Sequence, residues 1–202
     1  THTGQNSHTH LKLAVTKDGE GYFATGVTPK GGGAEKLEFG LRLPESVAKK
    51  LHEYQFLLED PAASRGARRE LAAELAREGF VLNDPDAGVM HLSRAVFERL
   101  RAKQSLELHV KELKDAAATD ALITQARKGI QVELRVRRAE DVDPASQLRL
   151  LAAMEERPPL PLTVSTYPPG TAGLPHGNVI ISDGKAYVGT AYLWSPQLNR
   201  NM

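Results

Sequence analysis

Residues 106–136 read LELHVKELKDAAATDALITQARKGIQVELRV, and this stretch decides the fold class. An alternating apolar run over 106–110 predicts a strand, and the Ala-rich run over 115–128 predicts a helix that Gly129 ends. Residues 130–136 then predict a second strand. A strand, a helix of about 10 to 15 residues and another strand form a crossover unit, which joins parallel strands. The stretch therefore predicts an α/β protein.

The same alternation extends in both directions along the chain, and a turn-rich segment over 83–88 separates an upstream part from a downstream part. We therefore expect one unit over residues 1–85 and another over 86–202, with mixed β-sheets covered by helices on both faces. The other predicted helices cover 44–60, 67–78, 93–102 and 144–156, the last capped by Asp143. The other predicted strands cover 11–16, 22–27, 37–43, 162–166, 178–182 and 186–193.

Composition excludes several classes of function. The 202 residues include 26 Lys plus Arg and 25 Asp plus Glu, so the net charge of +1 favours neither nucleic acid nor an anionic membrane as partner. The absence of cysteine excludes thiol catalysis and cysteine-ligated zinc. The longest apolar runs, about six residues, fall far short of a membrane-spanning helix. The sequence begins Thr-His-Thr-Gly without a methionine, and it assigns no compartment.

An internal repeat carries the candidate chemistry. His10-Leu-Lys12 is followed by an apolar run, Asp18-Gly19, a tyrosine and Thr25. About 165 residues later, His176-Gly-Asn178 is followed by an apolar run, Asp183-Gly184, a tyrosine and Thr190. Asp-Gly between two apolar runs indicates a β-hairpin, so both copies predict hairpins whose turns use the aspartates.

Strand geometry suggests what the hairpins present. A two-residue loop in the first hairpin would place Thr25 opposite Lys12, and a three-residue loop in the second would place Thr190 opposite Asn178. Each hairpin would then offer a histidine, a cation or amide, and a hydroxyl on one face, which suits a phosphate group. If the hairpins meet about a pseudo-twofold axis, two histidines face each other across one anion.

These residues resemble the phospholipase D superfamily, whose signature H-x-K-x4-D-x6-G-S/T occurs twice in each active site. Asn178 stands where the second copy should have lysine, five residues rather than four precede Asp18, and the Asp-to-Gly spacing is one residue short in both copies. The segments 38–44 and 106–136 are also similar to the family. The resemblance implies an α/β, two-repeat sandwich in which 1–85 is the C-terminal part of the first repeat and 86–202 is the second. A missing N-terminal part or another chain is then expected to complete the fold.

The resemblance further implies a metal-independent phosphodiesterase or phosphatidyltransferase that uses no cofactor. His10 would be the nucleophile that forms a phosphohistidine, and His176 the general acid that then becomes the base. Lys12, Asn178, Thr25 and Thr190 would bind the substrate phosphate, while Asp18 and Asp183 would serve the turns. We expect no metal site, because neither copy supplies a carboxylate and histidine cluster.

Two alternatives remain open at this stage. A phospholipid headgroup is favoured as the substrate because no basic stripe with interleaved aromatic residues is present, but a nuclease of the same superfamily would use the same histidines. A catalytically impaired homologue would keep the fold as a binding module, and Asn178 is the residue that favours it. The family resemblance is compatible with the cell envelope or a membrane surface. His109 has no motif around it and is interpreted as structural.

Overall fold

The computed structural model describes residues 12–16, 18–24, 36–37, 40–60, 64–168, 174–175, 178–189 and 193–194. Within them the chain is a mixed α/β protein, as predicted. The helices are α1 Glu45–Leu57, α2 Arg65–Arg77, α3 His91–Arg99, α4 Ala116–Arg127 and α5 Pro144–Met154. The strands are β1 Lys12–Val15, β2 Gly21–Ala24, β3 Lys36–Leu37, β4 Gly40–Arg42, β5 Asn83–Asp84, β6 Val89–Met90, β7 Ser105–Val110, β8 Leu113–Lys114, β9 Gln131–Val136, β10 Leu162–Thr166, β11 Leu174–Pro175, β12 Asn178–Ser182, β13 Lys185–Gly189 and β14 Leu193–Trp194.

A five-stranded sheet dominates the downstream part, in the order β10-β9-β7-β12-β13. β7, β9 and β10 run parallel, joined by crossovers through α4 and α5, whereas β12 and β13 are antiparallel additions. The crossover unit predicted from 106–136 is therefore confirmed. Aspartates open both crossover helices: Asp115 accepts a hydrogen bond from the Ala118 N–H, and Asp143 caps α5 as predicted.

The main core lies on one face of this sheet. Leu106, Leu108 and Val110 alternate along β7 and are 1%, 0% and 0% exposed, packed in one cluster with residues of α3, α4 and α5. The intervening side chains of Glu107 and His109 point to the opposite face and stay partly exposed. The opposite face also carries Val179 and Ile181 of β12, both partly buried, so the expectation of helices on both faces stays a prediction.

The upstream part has its own core. β1, β2 and β4 form an antiparallel sheet against which α1 packs, with α2 behind α1. A single strand was predicted over 37–43, but the structure has two short strands there. β3 pairs with β11, and only β4 joins the sheet of β1 and β2. The upstream cluster also includes Ala87 and Val89, just beyond residue 85. The division of the chain at that residue stays a prediction.

A buried hydrogen-bond network connects the elements of the upstream core. The Asp84 carboxylate accepts hydrogen bonds from the Tyr54 hydroxyl and from Arg68 Nη1, each at 2.5 Å, and from the Ala87 N–H at 3.1 Å. Arg68 is 1% exposed. Burial raises the pKa of the Tyr54 hydroxyl, and the neighbouring Asp84 carboxylate raises it further. The network joins α1, α2 and β5 through one carboxylate.

Candidate functional site

The second copy of the repeat forms the hairpin β12–β13. Ser182 pairs with Lys185, which leaves Asp183 and Gly184 as a two-residue loop with φ values of 50° and 77°. Positive φ at both positions is the signature of a type I′ turn, which Asp-Gly favours. The predicted three-residue loop was wrong, and Asn178 pairs with Gly189 rather than with Thr190.

The first copy forms the hairpin β1–β2, and its loop is also different from the predicted one. Thr16 and Glu20 are joined by a backbone hydrogen bond, so three positions lie between them, ending at Gly19 with φ 86°. As a result Lys12 pairs with Ala24 rather than with Thr25. The two loop lengths are the reverse of the predicted ones.

Asp183 does more than shape its own turn. Its carboxylate accepts hydrogen bonds from the backbone N–H groups of Lys103, Gln104 and Ser105, at 3.0, 2.8 and 3.3 Å. Two of these amides lie just before β7, and Ser105 is the first residue of that strand. The N–H groups of Gln104 and Lys103 lower the pKa of the Asp183 carboxyl because they stabilise its charged form. Its counterpart Asp18 is exposed in the first loop.

Asn178 opens β12 at the carboxyl end of β7 and is 4% exposed. Its Oδ1 accepts a hydrogen bond from the Lys111 N–H at 3.2 Å. The amide oxygen is therefore used to fix the start of β12 against the residue that follows β7.

The topology makes this edge of the sheet a suitable place for a ligand. From β7 the chain proceeds through β9 to β10 on one side, and then returns to β12 on the other side of β7. In open α/β sheets, ligands bind outside the carboxyl ends of the strands where the strand order reverses. Asn178 and Lys111 lie at that place.

Charged side chains follow β7 at the same edge. The Lys111 and Lys114 ammonium groups lie 3.4 and 3.2 Å from the two carboxylate oxygens of Glu112. All three are partly or largely buried, with side chains 17%, 35% and 15% exposed in the order Lys111, Lys114 and Glu112. Sequence reasoning missed this group of charged side chains.

A second polar cluster lies on the open face of the sheet. His109 Nε2 lies 2.5 Å from the Glu107 carboxylate, and its Nδ1 lies 2.7 Å from the Tyr167 hydroxyl. The Arg135 guanidinium lies 5.7 Å from the centre of the Tyr167 ring and 3.0 Å from the Glu133 carboxylate. The pKa of the Tyr167 hydroxyl is raised, mainly because the group is partly buried, and the positive charge of Arg135 offsets only part of that rise. His109, interpreted as structural, is thus the middle of a Glu–His–Tyr chain.

The remaining predicted site residues are only partly placed. His10, His176, Thr25 and Thr190 lie outside the described residues, and for Lys12 the backbone alone is described, in β1. The pairing of β3 with β11 brings residues 36–37 of the upstream part alongside Pro175, which precedes His176 in the sequence. The proximity of His10 and His176 therefore stays a prediction.

Two features are absent from the part of the chain that the structure describes. In the ranges that the structure covers, no three His, Asp or Glu side chains converge as metal ligands would. None of the helices in those ranges is long and apolar enough to cross a bilayer.

Comparison with known proteins found no match, either among protein-family models or among curated proteins. The functional assignment therefore depends on the residues and geometry of this chain.

Proposed function

We propose that this protein is a metal-independent phosphodiesterase or phosphatidyltransferase similar to phospholipase D. The observation that carries the proposal is that both copies of the repeated motif fold as antiparallel hairpins closed by Asp-Gly loops. The second hairpin also begins, at Asn178, on the sheet edge where α/β proteins bind ligands. Two separate hairpins of this kind, each following a histidine in the sequence, fit a site with two histidines.

In this proposal one histidine is the nucleophile and the other transfers protons. An imidazole nitrogen of His10 attacks phosphorus and forms a P–N bond while the P–O bond to the leaving alcohol breaks, and protonated His176 donates its proton to the leaving oxygen. Neutral His176 then takes a proton from water or an acceptor alcohol. The oxygen of that molecule attacks phosphorus, the P–N bond breaks, and both histidines return to their starting states.

The described charges support an anionic substrate. Lys111 and Lys114 bring two positive charges to the edge where Asn178 lies, both close to the Glu112 carboxylate. Two lysines at one edge suit a single phosphate group better than a polyanion, which needs a positive groove over many phosphates. A phospholipid headgroup is therefore the preferred substrate class, and a nucleic acid is the alternative.

The test measures hydrolysis of a chromogenic phosphodiester by the whole chain and by alanine variants. His10→Ala and His176→Ala should each abolish turnover, because each removes a group that makes or breaks a bond to phosphorus. His52→Ala is the matched control, since this histidine lies on α1 and contacts Phe56. Equal turnover in wild type and both motif variants would overturn the proposal, and a loss in His52→Ala would show that the assay reports folding.

A binding module is the second candidate function, and the burial of Asn178 favours it. A side chain that is 4% exposed and bonded to the Lys111 N–H serves the sheet, and as an amide it brings no charge to a phosphate. This candidate predicts that wild type and both histidine variants are equally inactive. It also predicts salt-sensitive binding of a non-hydrolysable phosphodiester, which Lys114→Ala should weaken.

A further inference from the structure

Strand register places a row of polar side chains across the downstream sheet. His109 of β7 pairs with Arg135 of β9, and Arg135 pairs with Ser165 of β10, so their side chains share the face opposite the main core. Tyr167 reaches the same face, because its hydroxyl lies 2.7 Å from His109 Nδ1. The Glu107 carboxylate lies 2.5 Å from Nε2 of the same ring. A carboxylate, an imidazole and a hydroxyl are thus joined in one chain.

The two partners of the His109 ring determine where its proton lies. A carboxylate only accepts hydrogen bonds, so in the neutral ring Nε2 carries the proton and donates to Glu107. Nδ1 is then an acceptor, and the Tyr167 hydroxyl donates to it. A hydroxyl bonded to a base that a third group orients is the arrangement that activates nucleophiles in enzymes. Because partial burial raises the pKa of Tyr167, the phenol keeps its proton until His109 removes it during attack.

The charges around the Tyr167 hydroxyl indicate which electrophile it would attack. The Arg135 guanidinium lies 5.7 Å from the centre of the tyrosine ring, and its positive charge favours negative charge on the phenol oxygen. It would likewise stabilise an oxyanion that forms beside that oxygen. Glu107 and Glu133 pair in register, and their carboxylates on this face would repel an anionic substrate. A neutral substrate is therefore favoured.

An apolar strip borders the chain of polar groups on the side of β12. Val179 pairs with His109, and Ile181 pairs with Glu107. Val188 of β13 pairs in turn with Val179. Paired residues point to the same face, and the three apolar side chains are partly buried. Apolar side chains next to a few polar groups that fix orientation are the usual lining of a small-molecule site, so this strip suits the apolar part of a substrate.

We propose that Glu107, His109 and Tyr167 form a second catalytic centre, which hydrolyses neutral carboxylic esters through an acyl-tyrosine. This reaction is distinct from the phosphodiester chemistry proposed for His10 and His176. The Tyr167 oxygen attacks the carbonyl carbon and forms a C–O bond while His109 Nδ1 takes its proton. The C–O bond to the leaving alcohol then breaks, and His109 returns the proton to that oxygen. Glu107 positions the ring throughout.

Water completes the cycle at the same atoms. Its oxygen attacks the acyl carbon, and its proton passes to His109 Nδ1. The bond to Tyr167 then breaks, the acid is released, and the phenol oxygen regains the proton from His109. A phenol ionises more readily than an aliphatic alcohol, so the acyl-tyrosine is a more reactive ester than an alkyl substrate.

The first test is a covalent trap applied to the whole chain. Phenylmethylsulfonyl fluoride should form a sulfonate ester at Tyr167: the phenol oxygen attacks sulfur, the S–F bond breaks, His109 takes the proton and fluoride leaves. Peptide mass spectrometry locates the adduct and follows its rate. Tyr187 is the internal control, because the Arg99 guanidinium lies 4.1 Å from its ring centre but no histidine is bonded to its hydroxyl among the residues that the structure describes. Labelling should be roughly a hundredfold faster at Tyr167, since a positioned base contributes about that factor or more.

The second test measures hydrolysis of para-nitrophenyl butyrate, a neutral ester with a short apolar acyl group. Tyr167→Phe keeps the ring but removes the nucleophile, so the rate should fall to that of the uncatalysed reaction. His109→Gln removes the base and should slow turnover roughly a hundredfold. His52→Gln, on α1, is the matched histidine control and should hydrolyse the ester at the wild-type rate.

Each measurement can overturn the proposal. A wild-type chain without an adduct at Tyr167 would do so, as would equal labelling of Tyr167 and Tyr187, because the trap would then report only accessible phenols. The trap uses the unaltered chain, so this result does not depend on how the variants fold. Ester turnover that is absent in the wild type, or unchanged in Tyr167→Phe, would also contradict it.

Discussion

The Tyr167 hydroxyl and His109 Nδ1 lie 2.7 Å apart, although 58 positions separate the two residues in the sequence. The backbone of His109 also pairs with Val179 of β12. Tyr167 precedes His176 in the sequence and Val179 follows it, so His109 is tied to the chain on both sides of the candidate catalytic residue. Glu107 holds the other nitrogen of the ring and so fixes its orientation.

Tyr167→Phe tests this connection. Removing the hydroxyl deletes one hydrogen bond, a loss of about 1 kcal/mol, and should slow phosphodiester turnover roughly fivefold if His176 is positioned through Tyr167. The effect should be on kcat more than on KM. Tyr22→Phe, at an exposed position of β2, is the control and should leave turnover unchanged. An unchanged kcat in Tyr167→Phe would contradict the positioning role.

Asp183 should make stability depend on pH. Because its pKa is lowered in the folded protein, the charged carboxylate stabilises the fold above the unfolded pKa of about 3.9, and this contribution disappears as pH falls through the folded value. Asp183→Asn should therefore lower the unfolding temperature at neutral pH, and the difference from wild type should shrink in acid. Asp18→Asn is the matched control in the first hairpin. Parallel pH curves for wild type and Asp183→Asn would refute the prediction.

The buried Asp84 network should be costly to break. Asp84→Asn leaves Arg68 charged and buried, so the free energy of unfolding measured in urea should fall by about 3–5 kcal/mol. Tyr54→Phe removes a single hydrogen bond and should cost about 1 kcal/mol. Joint replacement by Arg68→Met and Asp84→Leu should cost less than Asp84→Asn, since no buried charge remains. A loss in the double variant larger than that in Asp84→Asn would contradict this prediction.

Substitution of Asn178 separates an impaired enzyme from a binding module. Asn178→Lys should raise phosphodiester turnover roughly tenfold, because a cation stabilises the phosphoryl oxygens better than an amide does. Asn178→Asp keeps the size and can still accept the Lys111 hydrogen bond, but its negative charge should lower turnover. If both variants fold and they and the wild type all show no turnover, the protein is better described as a binding module.

Turnover should survive removal of divalent ions. The proposed chemistry uses histidine and lysine, so EDTA should leave the rate of phosphodiester hydrolysis within about twofold of the untreated value. The comparison uses the same protein sample before and after dialysis against chelator. Loss of activity that a single divalent ion restores would show that a metal takes part.

Sequence periodicity predicted the fold class and the crossover unit because local spacing determines them. Asp143 and the stretch 106–136 each carry their signal within a few residues, as caps and alternating runs do. Loop lengths in the two hairpins were predicted wrongly by one residue each. Asp-Gly indicates a turn but does not say whether the strands pair immediately beside it, and a shift of one residue changes every partner along the strand.

The charged groups of the candidate site were missed for a different reason. Glu107, His109 and Tyr167 form a chain only because β7 and β10 are brought onto one sheet with a particular register. The Lys111, Glu112 and Lys114 group becomes meaningful only once the strand order identifies the ligand-binding edge. Such relations between distant segments are tertiary, and no motif in the single sequence encodes them.

The position of β12 has a consequence for how the protein is made. β7 lies at the centre of the sheet, yet its second neighbour is contributed by residues 178–182, about 70 positions later. During synthesis from the amino end, β7, β9 and β10 can assemble first, and one side of β7 then stays open until β12 leaves the ribosome. The Asp183 carboxylate, which binds the amides just before β7, follows directly after β12. A ribosome stalled before this point would hold a nascent chain with an unpaired central strand, the form most prone to aggregate.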